Sequence, residues 1–379
     1  MSANIRLLQI IPNMDIGGAE TGCLHVADHI SKQGGFSAIL TSGGKLLDLI
    51  NRDKIKIFKW PINKNIFFIF FNIFYIYFKI KSHNINIVHA RSRAPAWSAY
   101  FASKLANVKF VTTFHGTYNF KSKIKKFYNS IMVKSDYVIA GSEFISNHIY
   151  KNYVVKAKSS IVKRGIDEKY FSINNVGENE KKKLRELLNI DDKKFIILLP
   201  GRLTYWKGQK LFIEALNILN QKKLLEKVFA LIIGGHQGRV DYKQALTDMI
   251  KKYQLDDKLK IAHGLNKMPV AYSISNLVLS TSIEPEAFGR IAIEAQSMEK
   301  PILASDIGGS LETIKNNKTG WLFKNNNVVD LAEKIKVILE SDQAILDSIG
   351  RQGRKNVKEN YTREFMVSRT LEIYKSLVY

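Results

Sequence analysis

Two carboxylates eight residues apart, Glu286 and Glu294, lie within the segment EPEAFGRIAIEAQSMEKP (284–301). Eight residues make just over two helical turns, so a continuous helix would place both acids near one face. Phe288-Gly289 is typical of a helix start, which predicts Glu286 in the preceding loop and Glu294 two turns inside the helix. Acids placed in this way suit the hydroxyl groups of a polyol. The structural alternative is a solvated helix face, because an unpaired carboxylate in a core is costly.

Two cations, Arg202 and Lys207, lie in the segment PGRLTYWKGQ (200–209), directly after a predicted strand and between Gly201 and Gly208. An arginine can fork two phosphate oxygens and a lysine supplies a mobile point charge, so the pair suits a diphosphate. Two surface cations are the alternative. The chain contains no GxxxxGK[ST] phosphate-binding loop.

Two further loops follow predicted strands in the first half of the chain. Gly17 and Gly18, in DIGGAE, let backbone N–H groups at a helix start approach a phosphate or a sugar, although a plain tight turn is the alternative. His115, in TTFHG, follows another strand, and a structural histidine is its alternative. The histidines show no metal-ligand spacing, and there is no HExxH or DxD motif, so we expect no metal and no cofactor.

The bulk composition favours a globular protein of two domains, with 379 residues and a single cysteine, Cys23. No basic segment precedes an apolar signal-like run at the start, so we predict a cytoplasmic protein. The net charge of +24 has three explanations: a solvated lysine surface, contact with an anionic membrane, or nucleic-acid binding. No nucleic-acid motif supports the third explanation, and we expect no nucleic-acid partner.

Buried apolar runs that alternate with helical patterns predict two doubly wound α/β domains facing across a cleft. The predicted strands lie within 5–12, 85–92, 109–116, 135–142, 194–203, 228–235, 259–264, 276–282 and 301–306. The predicted organisation is a first domain at 1–170, a linker at 171–193, a second domain at 194–358 and a C-terminal helix at 359–379 that returns to the first domain.

The segment 66–81, IFFIFFNIFYIYFKIK, breaks the alternation. Its apolar part is about 20 Å long as a helix, which is short of the roughly 30 Å hydrocarbon core, so we do not expect it to span a membrane. We predict a helix that is either buried against the first sheet or lies at a membrane interface. Lys64, Lys79 and Lys81 flank it as an interfacial helix requires.

In order along the whole chain, the motifs GGAE, FHG, RGID, GRLxxxKG, EAFGRxxxEA and GGxxETIxxxxTGWL resemble the retaining GT-B glycosyltransferases of family 4. The wording PEAFGRIAIEAQSMEKPILASDIGG is similar to bacterial members that build cell-surface glycans. The resemblance implies a metal-independent transferase that moves a hexosyl or N-acetylhexosaminyl group from a nucleotide sugar to a glycan acceptor. The expected acceptors are lipid-linked intermediates of lipopolysaccharide or another surface polysaccharide. Together with the basic charge and the segment 66–81, these expectations give a cytoplasmic enzyme, peripheral at the inner face of the plasma membrane.

The same resemblance implies a role for each matching residue. Glu286 would lie beside the donor sugar, Glu294 would hold the ribose hydroxyls, and Arg202 and Lys207 would bind the diphosphate. His115 would touch the donor sugar. The remaining donor-binding residues implied by the motifs are Gly17, Gly18, Arg164, Gly201, Ala287, Phe288, Gly289 and Arg290. The family more often has asparagine at the position of Arg164, which leaves the role of that residue open.

Two alternatives stay open at this point. Another GT-B enzyme, such as a nucleotide-sugar epimerase or a phosphorylase, would use the same donor-binding residues. A non-catalytic adaptor for membranes or nucleic acids would have kept the fold alone, which the complete set of two acids and two cations argues against.

Overall fold

The structure is a computed structural model of the chain that describes residues 4–15, 17–62, 66–118, 120, 122–265 and 267–379, with residues 66 and 67 described by their backbone alone. The chain forms two compact units. The first unit comprises Met1–Gly165 together with Arg363–Tyr379, and the second unit comprises Ile166–Thr362.

The first unit is built on a parallel sheet of seven strands in the order β3-β2-β1-β4-β5-β6-β7. The strands are β1 (Arg6–Ile10), β2 (Phe36–Thr41), β3 (Lys56–Lys59), β4 (Ile87–Ala90), β5 (Lys109–Phe114), β6 (Tyr137–Ala140) and β7 (Lys158–Ile161). The connecting helices are α1 (Gly18–Lys32), α2 (Ile66–Ser82), α3 (Arg93–Ala106), α4 (Lys123–Ser130) and α5 (Glu143–Asn152). The strands β1 and β4 are almost wholly buried, as expected for a parallel sheet that is covered on both faces.

The second unit repeats this arrangement with six parallel strands in the order β10-β9-β8-β11-β12-β13. The strands are β8 (Phe195–Pro200), β9 (Val228–Ile233), β10 (Leu259–Ala262), β11 (Leu277–Ser280), β12 (Ile302–Ser305) and β13 (Trp321–Phe323). The helices are α6 (Glu178–Leu188), α7 (Gln209–Gln221), α8 (Val240–Lys252), α9 (Met268–Ile274), α10 (Arg290–Ser297), α11 (Ser310–Thr313), α12 (Val328–Leu339) and α13 (Gln343–Asn360). A 3₁₀ helix at Tyr205–Lys207 follows β8.

The predicted fold class of two doubly wound parallel sheets is confirmed, and each of the nine predicted segments contains one strand. The strands β2, β3, β7 and β13 were not predicted. The helix α1 begins at Gly18, within the glycine loop DIGGAE that was predicted to lead into a helix.

The last helix, α14 (Arg363–Val378), belongs to the first unit, as the predicted fold requires. Its side chains Val367, Leu371 and Tyr374 are buried in the core formed with α1 and with strands of the first sheet. The Tyr374 hydroxyl also lies 2.5 Å from Nδ1 of His89 on β4. A mixture of apolar contacts and one buried polar contact therefore holds the end of the chain on the first unit.

The predicted linker at 171–193 contains α6, whose Leu184 and Leu188 lie in the core of the second unit. The second unit begins at Ile166 and ends at Thr362, where the isolated parallel bridge Ile166↔Thr362 joins its two ends. Residues 359 and 360, which fall in the predicted returning helix 359–379, still belong to α13, and Tyr361 is the cap that ends α13.

The aromatic segment 66–81 forms the helix α2, as predicted. Its Ile76 and Ile80 are buried, whereas Phe71, Phe74 and Phe78 are exposed. The helix therefore has one packed side and one aromatic side that faces solvent. Within the described ranges, no helix is both long enough and apolar enough to cross a membrane. The flanking Lys64 lies outside the described residues.

Candidate functional site

The strand order of the second sheet reverses between β8 and β11, which are paired neighbours. Loops that leave the carboxyl ends of two such strands diverge and form a crevice, which is the usual ligand site of open α/β sheets. Residues 201–208 follow β8 and residues 281–289 follow β11. Two predicted motifs, GRLxxxKG and EAFGR, thus occupy the two sides of one switch point.

Hydrogen bonds and a close packing contact join the loop after β8 to the loop after β11. The Thr281 hydroxyl donates to the Lys207 carbonyl at 3.0 Å, and the Ile283 N–H donates to the Trp206 carbonyl at 2.8 Å. Gly208 has a φ of +70°, and a Cβ atom there would lie 1.9 Å from the Thr281 carbonyl oxygen. A glycine is therefore required at this position for both conformation and space.

This fastening brings Lys207 and Glu286 together. Lys207 Nζ lies 2.6 Å from Glu286 Oε1, and the two side chains are 11% and 13% exposed. The Ser282 hydroxyl contacts the same carboxylate oxygen. The Lys207 ammonium also lies 4.5 Å from the centre of the Trp206 ring, a distance typical of a cation–π contact. The pair is held in one arrangement at the switch point, and its charges are largely shielded from water.

Arg202 leaves the same strand end as Lys207. Its guanidinium carbon lies 6.0 Å from the centre of the Trp206 ring. The Arg202 carbonyl accepts a 2.9 Å hydrogen bond from Gln209 Nε2 in α7, which fixes the backbone of the loop. Gly201 has a φ of +146°, and its carbonyl oxygen would be 1.8 Å from a Cβ placed on Gly234. The loops after β8 and β9 are therefore in contact at Gly201 and Gly234, and Arg202 is the residue that directly follows this contact.

The residues that follow Glu286 form a tight entry into α10. Gly289, with a φ of +74°, caps the helix, and the side chain of Phe288 is buried. The Gly309 N–H donates to the Glu286 carbonyl at 2.8 Å. A Cβ on Gly309 would lie 2.3 Å from the Phe288 carbonyl carbon, and one on Gly308 would lie 2.6 Å from the Glu286 carbonyl oxygen. The two glycines of GGxxETI thus support the backbone that carries Glu286.

Glu294 lies in α10, about one turn beyond Arg290, and has two strong partners. Arg290 Nε lies 2.6 Å from its Oε1, and the buried Tyr272 hydroxyl donates to its Oε2 at 2.7 Å. Burial, reinforced by the neighbouring Glu294 charge, raises the pKa of Tyr272 well above its usual value, so the hydroxyl stays a donor. The carboxylate is 12% exposed and is held in one orientation.

In the first unit, Gly17 and Gly18 lie where β1 leads into α1. Gly17 is the extended residue that caps the helix, and its carbonyl accepts from the Thr21 N–H at 3.0 Å. A Cβ on Gly17 would lie 2.3 Å from the Glu20 carboxylate, a flexible group that could move away. This position is therefore less restricted than Gly208 of the second unit.

His115 and Arg164, also in the first unit, are brought together. Arg164 Nη2 donates to the His115 carbonyl at 2.8 Å. In the part of the chain that the structure describes, neither buried ring nitrogen of His115 has a hydrogen-bond partner. Burial first, and then the charges of Arg164 and Arg91, lower the pKa of His115 well below its usual range. The imidazole is neutral at physiological pH and borders a cavity of about 30 Å³ that Arg91 and Arg164 also line.

Four residues at these sites escaped the sequence prediction. Ser282 and Trp206 contact the Lys207–Glu286 pair, Tyr272 holds Glu294, and Arg91 borders the cavity beside His115. Ser282 is the last residue of the predicted strand segment 276–282, and this position at a strand end was a usable signal. Tyr272 lies in a buried apolar helix and carried no such signal.

Among the described residues, no group of three or more histidine, cysteine, aspartate or glutamate side chains is arranged to hold a metal ion. Metal independence of the reaction remains a prediction.

Comparison with known proteins identifies the chain. Residues 16–170 match the sequence profile of Glycosyltransferase Family 4, and residues 180–356 match that of Glycosyl transferases group 1. The crystal structure of a glycosyltransferase from Rickettsia africae ESF-5 matches with 35% identity and a TM-score of 0.90, and the match covers 99% of both chains. The chain is a GT-B glycosyltransferase of this family.

Other relatives of this glycosyltransferase are more distant. An N,N'-diacetylbacillosaminyl-diphospho-undecaprenol alpha-1,3-N-acetylgalactosaminyltransferase from Campylobacter jejuni is 24% identical over 345 residues, which are 83% of each chain. The structure of Anabaena Alr3699/HepE in complex with UDP and glucose has 19% identity and a TM-score of 0.83 over 99% of this chain and 100% of that chain. The glycosyltransferase spans 54% and 62% of the lengths of two further curated relatives, MJ1607 from Methanocaldococcus jannaschii and CapM from Staphylococcus aureus.

The family predicted from the motifs is therefore confirmed, and the activity of this family is glycosyl transfer. The individual roles of the site residues stay predictions.

Proposed function

We propose that this glycosyltransferase moves a hexosyl or N-acetylhexosaminyl group, with retention of configuration, from a nucleotide-sugar donor to a lipid-linked glycan acceptor in the synthesis of lipopolysaccharide or another bacterial surface polysaccharide. The observation that carries the proposal is the Lys207–Glu286 pair, held at 2.6 Å where the second sheet reverses its strand order.

The proposed donor matches the charges at this switch point. A nucleotide sugar has an anionic diphosphate between two hydroxyl-rich rings. The loop after β8 supplies Arg202 and Lys207, Lys207 pairs with Glu286, and α10 supplies the Arg290–Glu294 pair. Arg202 and Lys207 bind the diphosphate, and Glu286 accepts hydrogen bonds from hydroxyls of the transferred sugar. Each charge-assisted hydrogen bond of this kind contributes roughly 1.5–3 kcal/mol.

Glu294 takes the ribose hydroxyls in this proposal. Arg290 and Tyr272 each occupy one of its oxygens. A carboxylate offers about four lone-pair sites, so both oxygens retain capacity for a hydroxyl donor. The ribose therefore adds hydrogen bonds to a carboxylate that is already oriented, and no existing contact has to break.

The same groups account for catalysis. As the glycosidic bond breaks, negative charge grows on the leaving diphosphate, so Arg202 and Lys207 stabilise the transition state more than the ground state. Retention follows if the acceptor hydroxyl attacks on the face that the diphosphate leaves, with a phosphate oxygen taking the acceptor proton. No metal or cofactor is needed for this step. Gly17, Gly18, Gly201, His115, Arg164 and the residues 287–290 remain predicted donor-binding residues.

The names of several relatives support the donor and acceptor classes. The HepE structure contains UDP and glucose, the Campylobacter enzyme is named for a diphospho-undecaprenol acceptor, and CapM is named for capsular polysaccharide biosynthesis. We extend these classes to the present chain, with a cytoplasmic location at the inner face of the plasma membrane.

The test begins with the full-length protein and a thermal-shift screen against UDP-, GDP- and ADP-sugars. Transfer is then measured with the stabilising donor and a polyprenyl-diphosphate-linked acceptor. We expect Lys207→Ala to lower turnover roughly 10²–10³-fold, by analogy with the loss of other donors that stabilise developing charge. The matched control is Lys227→Ala, an exposed lysine at the opposite, amino end of the second sheet, directly before β9.

Near-normal turnover of a folded Lys207→Ala protein would remove Lys207 from the mechanism. A change of the sugar in reactions that contain donor alone would favour an epimerase. Release of a sugar 1-phosphate from a glycan and inorganic phosphate would favour a phosphorylase.

A further inference from the structure

The positive charge of the chain is concentrated in one stretch of the first unit. From Lys54 to Ser135 there are thirteen lysines, two arginines and no aspartate or glutamate. Less than a quarter of the chain thus carries 15 of its 24 net positive charges. A codon bias towards lysine would not also remove every acid from one stretch. The concentration indicates an anionic partner for this part of the first unit.

Exposed aromatic side chains form a stripe on the helix α2 within this stretch. Phe71, Phe74 and Phe78 are 64%, 45% and 64% exposed. Their spacing of three and four residues places them on one side of the helix, and Ile76 and Ile80 are buried on the other. Phenylalanines that face water in a row are costly unless something apolar covers them.

The neighbouring helix α3, which packs against α2, also carries exposed apolar side chains. The Ser98 hydroxyl donates to the Ile69 carbonyl at 3.0 Å, which joins the two helices. On the outer side of α3, Phe101 and Leu105 are 42% and 62% exposed, with the exposed Lys104 between them.

The helix α4 contacts α3 and carries further exposed apolar side chains. The Trp97 indole N–H of α3 donates to the Tyr128 carbonyl of α4 at 3.1 Å, and the rings of Trp97 and Phe127 are 5.4 Å apart. In α4, Ile124 and Phe127 are 80% and 62% exposed. The aromatic–lysine surface is the set of these exposed side chains on the three helices and the exposed lysines beside them: Phe71, Phe74, Phe78, Lys81, Phe101, Lys104, Leu105, Lys123, Ile124, Lys125, Lys126, Phe127 and Lys134.

A groove opens at the α4 end of the aromatic–lysine surface. It has a volume of about 560 Å³, and Lys126, Lys134 and Lys156 line it together with apolar side chains that include Phe127 and Val154. Three cations beside an apolar wall suit a group that is anionic at one end and hydrocarbon at the other.

We propose that the first unit docks on an anionic lipid bilayer through the aromatic–lysine surface. The phenylalanines and aliphatic side chains enter the boundary between headgroups and acyl chains, and the lysines lie against lipid phosphates. The exposed aliphatic side chains Leu105 and Ile124 favour a lipid bilayer over a nucleic acid as the partner, because they offer no ring on which a base can stack. The inference does not depend on the proposed donor or acceptor, since it uses neither.

The test is co-flotation of the full-length protein with vesicles of phosphatidylcholine, with and without phosphatidylglycerol. We expect binding only when phosphatidylglycerol is present, and weaker binding at high salt. The variant Phe71→Ser/Phe74→Ser/Phe78→Ser should bind at least about tenfold more weakly because it loses apolar insertion. The variant Lys123→Gln/Lys125→Gln/Lys126→Gln should bind roughly 100-fold more weakly, since each lysine contributes roughly fivefold.

Matched controls carry the same kinds of change on the second unit. Leu187, Val329 and Val337 are 71%, 63% and 57% exposed, and all three are changed to serine in one control. The exposed Lys183, Lys227 and Lys318 are changed to glutamine in the other. Both controls should bind vesicles as the unaltered protein does. Circular dichroism melting should give the same midpoint for all proteins, because every altered side chain is exposed.

A second readout needs no substitution. Vesicles with brominated acyl chains should quench tryptophan fluorescence, because Trp97 packs beside Phe101 and Phe127 of the proposed surface. Full binding by either altered protein, an equal loss in the controls, or absence of quenching would overturn the proposal. Binding to single-stranded DNA that both variants lose, without vesicle binding, would assign the surface to a nucleic acid instead.

Discussion

We expect the charged pair at the switch point to contribute measurably to the stability of the second unit. Lys207 Nζ and Glu286 Oε1 are 2.6 Å apart, and the side chains are 11% and 13% exposed. Replacing Lys207 with methionine removes the cation but keeps most of the stem, and leaves the carboxylate with the Ser282 hydroxyl. Removal of one member of a buried pair costs roughly 3–5 kcal/mol. We expect about 3 kcal/mol, the lower end, because Ser282 remains a donor.

A double-mutant cycle separates the pair from its surroundings. Glu286→Gln keeps the shape of the side chain and loses its charge, which should cost about 2 kcal/mol. The double variant Lys207→Met/Glu286→Gln leaves no unpaired charge, so its cost should be smaller than the sum of the two single costs. We expect a coupling free energy of about 1.5–3 kcal/mol, the value of a hydrogen bond between charged groups.

The assay is urea denaturation of the full chain followed by circular dichroism, with calorimetry to resolve the transition of the second unit. For a unit of about 200 residues, each kcal/mol shifts the midpoint by about 2–4 °C. Lys207→Met should therefore lower that midpoint by roughly 6–12 °C. The reasoning is refuted if the two single changes are additive within about 0.5 kcal/mol, because the pair would then contribute no coupling.

Three further predictions concern single positions. Gly208→Ala should destabilise the protein by more than about 2 kcal/mol and weaken donor binding, because φ at this position is +70° and the new Cβ would lie 1.9 Å from the Thr281 carbonyl oxygen. The control is Gly235→Ala, whose Cβ would meet no atom within 4 Å. Equal losses of thermal stability in the two variants would contradict the prediction. Burial, and then the charge of Arg91, lower the pKa of His89 well below 6.5. The unfolded chain therefore binds more protons than the folded chain below pH 6.5, and the free energy of unfolding should fall as the pH falls through that range. In His89→Gln the free energy of unfolding should fall less steeply with pH. Identical pH dependences of the two proteins in urea titrations would contradict this prediction. Burial lowers the pKa of Lys300 from 10.5 to about 8, so stability should rise from pH 8 to pH 10.5, where the amine is neutral when folded and charged when unfolded. Lys300→Met should remove this rise and add roughly 3 kcal/mol at pH 7, since each unit of pKa shift corresponds to about 1.4 kcal/mol. A variant less stable than the unaltered protein in the same titration would contradict this prediction.

The sequence predicted the central strands because burial on both faces leaves a continuous apolar signature. Three of the four unpredicted strands lack that signature, whereas the interior strand β2 (FSAILT) is almost wholly buried and was missed although it carries it. The edge strand β3 exposes Lys56 and Lys59, and β7, at the other edge, consists of Lys158, two serines and Ile161. The strand β13 has only three residues. Edge strands need an apolar contact on fewer sides, so their sequences resemble loops.

The site was predicted as separate groups, and its central contact was not predicted. Lys207 and Glu286 were expected at a diphosphate and at a sugar, but their 2.6 Å contact was not foreseen. The two residues are 79 positions apart, and they meet because β8 and β11 are neighbours in the sheet. Strand order depends on how the helices connect and cover the sheet, and local sequence patterns do not encode it.

Glu294 has one contact that local sequence spacing predicts and one that only the folded structure reveals. Its contact with Arg290 follows from a spacing of four residues on a helix and can be read from the sequence. Its contact with Tyr272 joins two helices and cannot. If only Arg290 held the carboxylate, the 43% exposed arginine side chain could swing away and release it. The buried Tyr272 hydroxyl prevents this by fixing the other oxygen. A Tyr272→Phe protein should therefore keep its fold but bind donor less tightly, whereas an unchanged donor affinity would show that Arg290 alone sets the orientation of Glu294.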